Sequence, residues 1–151
     1  MSSVGTTVDN VDNAGGAGTG DGGAADFDQV VEILHARALA LPEVYSEPAW
    51  VGVRWRVRGR TFAHVLDIIG SHPPSYSKAA NTAGPAIVLM FRSAGDELEA
   101  LRHAGTPFFP TPWRADEIGL LITTDTDWSE VTELVTESYR VLAPPTLGAR
   151  V

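Results

Sequence analysis

The sequence predicts an α+β domain in which an antiparallel sheet carries helices on one face. Three observations lead there. Apolar residues recur at helical spacing near both ends of the folded part. Two alternating runs flank the turn dipeptide Arg58-Gly59. Two further short apolar runs, Ala86–Phe91 and Ile118–Thr123, read as inner strands.

Residues 1–25 are rich in Gly, Ala, Ser, Thr and Asn and hold almost no large apolar side chain. Such a segment has nothing to bury against its ordering entropy, so it is expected to be a disordered tail ahead of a domain over 26–151. From Asp26 to about Leu41, Phe27, Val30, Val31, Leu34, Ala38 and Leu41 fall on one helical face. Asp26 with Gln29 suggests a capping box, and Pro42 ends the helix.

Trp50–Val57 and Thr61–Ile69 read as a hairpin closed by Arg58-Gly59. A simple two-residue turn sets Val57 opposite Arg60, Trp55 opposite Phe62, Val53 opposite His64 and Val51 opposite Leu66. His64 then lies on the core face, and Arg54 and Arg56 project from the other face. Gly70–Pro85 reads as a surface loop. Ser93 is placed to cap a short helix over about Gly95–Ala104, and Pro107–Trp113 reads as irregular and aromatic. Asp127 with Glu130 opens a last helix to about Leu142, stopped by Pro144-Pro145.

Composition narrows the function classes. A chain of 151 residues with 44% hydrophobic and 20% charged content is an ordinary globular domain. The absence of cysteine excludes disulfides, thiolate metal sites and cysteine nucleophiles. No apolar run reaches bilayer-spanning length, and the N-terminus has no secretory pattern, so a cytoplasmic protein without a membrane partner is expected.

The formal net charge is -8. Against that background Arg54, Arg56, Arg58 and Arg60 stand within seven residues, a local cationic stripe on an acidic chain. Same-side strand residues are spaced by about 6.6 Å, and guanidinium forks grip phosphate oxygens, so a phosphate backbone is one natural target. The competing reading is a solvated sheet face whose arginines pair with acids.

The region from about Asp26 to Arg150 resembles the MmcQ/YjbR family of small bacterial proteins, especially its actinobacterial members. The likeness rests on Leu41-Pro42-Glu43-Val44, the hairpin Val57–His64, the loop with Pro73-Pro74-Ser75-Tyr76, Pro107-Phe108-Phe109, Thr126–Val131 and Ser138–Pro144. The resemblance implies a CyaY-like α+β fold and a DNA-binding role.

DNA is therefore the first partner expected, held by Arg54, Arg56, Arg58, Arg60, Arg114 and Lys78. The alternative is a non-enzymatic protein-interaction or small-ligand module, using the open sheet face or a pocket lined by Trp113, Tyr76 and the Pro-rich loops. A pairing of His64 with His72, and an iron-binding row of Asp28 and Glu32, are weaker readings, so no metal or cofactor is expected. Ser71-His72 and Ser77-Lys78 are isolated pairs. With no nucleophile elbow, phosphate loop or dinucleotide fingerprint, no enzyme and no catalytic residue is expected.

Overall fold

The computed structural model describes residues 25–151. The segment read as a disordered tail, 1–25, lies outside them except for Ala25. The chain runs α1 (Phe27–Ala38), β1 (Tyr45–Pro48), β2 (Val53–Val57), β3 (Arg60–Ile68), α2 (Pro74–Ala80), β4 (Ala86–Arg92), α3 (Gly95–Arg102), β5 (Phe108–Thr111), β6 (Arg114–Ile122), α4 (Trp128–Leu142) and α5 (Pro145–Gly148). The six strands form one sheet in the order β1-β2-β3-β4-β6-β5, antiparallel throughout. The fold is α+β, as the sequence predicts.

The main core lies between the sheet and the helices α1 and α4. Trp55, Val57, Val65, Leu89, Phe91 and Ile118 from the strands meet Leu34, Val131, Val135 and Tyr139 from the helices. Both helices start as their caps dictate. Asp26 accepts from the Asp28 N–H, and Asp127 accepts from the Ser129 and Glu130 N–H groups.

The hairpin departs from a simple ladder. Val57 faces Arg60 and Arg56 faces Thr61, but Trp55 faces Ala63, so Phe62 is an extra residue with no opposite partner. This is a β-bulge, and it moves every later residue of β3 to the other face of the sheet. His64 therefore stands opposite Arg54, on the face away from α1 and α4, and not on the core face. Ala63 and Val65 take the helix side instead, while Leu66 joins the opposite face. The bulge is anchored from α4: the buried Ser138 hydroxyl donates to the Phe62 carbonyl (2.6 Å) and accepts from the Arg92 N–H (2.8 Å).

The second face is only partly open. Gly70–Pro85 contains the short helix α2 rather than loop alone, and Pro107–Trp113 contains the edge strand β5. Together they cover one half of that face over Leu66, Ile68, Val88 and Met90, with Phe109 among the covering side chains. Gly119 permits this cover. A side chain there would begin 2.1 Å from the Phe109 ring, so glycine is the seat on which the ring lies.

Candidate ligand groove

The uncovered half of the second face is a groove of about 1120 Å³. Antiparallel register sets which side chains share this face. One row of opposed residues crosses the whole sheet: Glu47 on β1, Arg54 on β2, His64 on β3, Met90 on β4, Gly119 on β6 and Phe109 on β5. Directly opposed residues share a face. The row thus runs from charged at the β1 edge to apolar at the β5 edge. A neighbouring row brings Arg92 opposite Glu117.

Five arginines line the groove: Arg54, Arg56, Arg60, Arg92 and Arg114. Two acids, Asp67 and Glu117, line it with them. The rest of the lining includes the aromatic and proline side chains of Trp50, Pro73, Pro74, Tyr76 and Trp113. Trp50 is 100% exposed and Trp113 41%. Two fully or largely exposed indoles beside one concavity are the kind of apolar surface that soluble proteins keep for contact.

The floor is pre-set by a chain of contacts. His64 Nε2 lies 2.6 Å from the Val51 carbonyl. Burial pushes the His64 imidazole below its ordinary pKa, with the Val51 bond opposing the shift. The ring is therefore neutral at pH 7, and its Nε2–H donates to Val51. Its centroid is 6.1 Å from that of Tyr76, which meets Trp113 edge-on at 5.1 Å. The Trp113 indole N–H donates to Glu117 Oε1 at 2.7 Å, which fixes the ring. Burial raises the Tyr76 hydroxyl pKa, so the phenol is protonated.

The six residues proposed from sequence divide. Arg54, Arg56, Arg60 and Arg114 converge on the groove. Arg58 does not. It sits in the hairpin turn with φ +50°, and its guanidinium grips Glu43 at 2.7 and 3.1 Å. Lys78 is exposed on α2, outside the groove lining. The carboxylates are also unevenly shared. Glu47 bridges both Arg54 and Arg56, and Asp116 pairs with Arg92. Among the described residues Arg60 and Arg114 make no carboxylate pair; the weak contact of Arg60 is to the Leu142 carbonyl at 3.5 Å.

The remaining histidines and acids are scattered. His72 lines the groove mouth, whereas His35 accepts from the buried Trp55 indole N–H at 3.2 Å and His103 lies against Glu99 on α3. Asp28 and Glu32 border a shallow depression on α1. Among the described residues no group of three or more His, Asp or Glu is placed to hold a metal ion. No helix among them is long and apolar enough to cross a membrane.

The YjbR family model matches residues 39–141, more than half of the chain. The chain belongs to the YjbR family. No curated protein matches it. Among solved structures it is similar to a crystal structure of a protein from Pseudomonas syringae, with a TM-score of 0.56 at 12% identity over 78% of this chain and 98% of that one. That likeness supports the fold alone.

Several residues in and beside the groove of this YjbR chain carried no sequence signal of their role. Arg92 and Glu117 meet only through strand register. Glu47 lies on a four-residue strand ending in proline, too short for an alternation pattern. Tyr76 and Trp113, which the sequence suggested as lining a pocket, both line the groove; they are separated by 37 positions and meet through the packing of α2 beside β5. His64 would have been placed correctly had the bulge been visible.

Proposed function

We propose that the protein is a non-catalytic binding module whose groove receives an anionic ligand with a flat, apolar part. The observation that carries this is the mixed lining of the groove. Arg54, Arg56, Arg60 and Arg114, from three strands, line it together with Tyr76, Trp113 and Trp50. Concave, largely pre-formed sites with a few convergent polar groups are where small ligands bind. Arginine forks favour oxyanions, and exposed indoles favour flat rings. The lining arginines and aromatic rings serve to hold a ligand, so the reading is one of binding.

Arg60 and Arg114 are the side chains to remove, because neither holds an internal carboxylate. Arg60→Gln with Arg114→Gln should weaken binding of an anionic ligand about ten-fold or more, the loss of one charge-assisted hydrogen bond or two. Calorimetric titration checks it, with urea denaturation showing that the fold is kept. Unchanged affinity would place the site elsewhere.

DNA is a second reading, favoured by the same two unpaired arginines at a groove edged with exposed indoles. Single strands suit it better than duplex, because bases can stack on the indoles while the backbone follows the arginines. The hairpin tip gains no support, since Glu43 neutralises Arg58. Under this reading affinity climbs with oligonucleotide length, and each arginine removed lowers the salt slope by about 0.7. A length-independent affinity that matches a mononucleotide favours the small ligand.

A further inference from the structure

Glu47 stands opposite Arg54 at the edge of the groove. One of its oxygens, Oε2, accepts from Arg54 Nε at 2.7 Å and from Arg56 Nη1 at 3.1 Å, and Arg54 Nη2 closes on the same atom. The Nε/Nη2 edge of Arg54 is the one that grips an oxyanion with two parallel bonds. Here an internal carboxylate already fills it. Arg56 has little left to offer: its Nη2 donates to the Gly59 carbonyl, and its Nε is buried without a partner. Two guanidiniums thus share one anion and keep one positive charge in excess. The hydrogen bond from Arg54 holds the Glu47 carboxyl below its ordinary range, so the occupant is ionised at neutral pH. The Glu47 side chain is still 34% exposed, so a ligand can approach it from solvent.

Resting on the groove reading, we propose that Glu47 occupies the anion subsite in the free protein, and that the ligand is a phosphate monoester bearing an aromatic ring. A monocarboxylate that replaced Glu47 would exchange like for like and gain no charge. A phosphate monoester carries about -1.5 to -2 charges at pH 7 and three acceptor oxygens, so it can serve Arg54 and Arg56 together and absorb their excess charge. Glu47 is then a specificity-determining residue that sets a threshold which dianions pass and monoanions do not. The ring has its place at a matching reach. His64 stands opposite Arg54, and the steps of 6.1 Å to Tyr76 and 5.1 Å to Trp113 put the indole within about 11 Å of the imidazole.

The test is calorimetric titration of the full chain and its Glu47→Gln variant with adenosine 5′-monophosphate, adenosine, inorganic phosphate and benzoate. The unaltered protein should bind the nucleotide at least ten-fold more tightly than any of the other three. Glu47→Gln should tighten the nucleotide several-fold and benzoate by more, narrowing the preference for phosphate. Glu47→Asp withdraws the carboxylate by one methylene and should fall between, which keeps the test open if the Gln variant folds poorly. Weaker nucleotide binding in Glu47→Gln would make Glu47 a scaffold for the arginines and overturn the proposal. So would equal binding of adenosine and its monophosphate. If an oligonucleotide binds and loses affinity with Arg60→Gln while the mononucleotide does not bind, the ligand class fails and the groove reading stands. If no anion binds, both fail.

Discussion

His64 is held in the groove floor as a neutral ring, and that state has a measurable consequence. Its ordinary pKa is 6.5, and burial lowers it in the folded protein. Between the folded and unfolded values the unfolded chain binds more protons, so stability falls as pH drops below about 6.5 and is lost through the folded pKa. One proton limits the slope to about 1.4 kcal/mol per pH unit. Glu43 and Glu47, both lowered from 4.5 by arginine hydrogen bonds, add their losses only in more acidic solution. Replacing His64 by Gln keeps a donor for Val51 without a titrating ring. Urea midpoints between pH 7 and 5 should therefore slope downward for the natural protein and run flatter for His64→Gln. Equal slopes would assign the titration to another group. The alternation of β3 puts His64 with the core residues only because a bulge leaves no trace in hydrophobic pattern. Phe62 is as apolar as its neighbours, and one extra residue inverts all that follow.

Among the elements, α4 supports the site from the helix side of the sheet. Its Ser138 is buried and supplies the partner that the bulge needs, linking the Phe62 carbonyl on β3 to the Arg92 N–H on β4. Ser138→Ala would strand a buried carbonyl and a buried N–H, at a cost of about 1–3 kcal/mol. Loss of the bulge would also turn His64 toward the helices. The expected outcome is a lower urea midpoint together with weakened anion binding; a stability loss with unaltered binding would separate the bulge from the groove. The long helices and inner strands were legible because each has a cap, a period and a stop. Asp127 and Pro144 bracket α4 within two residues of its ends. The edge strands β1 and β5 were not, because each has four residues and includes a proline. The helix α2 has only seven residues and no side-chain cap, so Gly70–Pro85 read as loop. These three unread elements form the rim and cover of the groove. The sequence therefore outlines the sheet and names several lining side chains, but not the elements that bring them together.

At the scale of the molecule, charge distribution argues for a confined anion site over a broad polyanion surface. Three of the 19 acids and none of the 11 bases precede Asp26, which leaves the rest of the chain at -5. A net negative field repels nucleic acid at long range, and only a local cationic site overcomes it at contact. The four members of the arginine stripe meet different fates. Glu43 neutralises Arg58, Glu47 half-neutralises Arg54 and Arg56, and Arg60 retains its charge. Arg114, named from the sequence, comes to the same groove from β6, and Arg92 joins it from β4, which no local pattern announces. The central claim is that this groove, rather than the hairpin tip, is where anions bind. Amide and indole N–H chemical-shift mapping during a titration with inorganic pyrophosphate tests it most directly. The account predicts saturable shifts at Arg54, Arg60, His64 and Arg114 and at the Trp113 indole. Shifts confined to Arg58 and Glu43, or none at all, would contradict it.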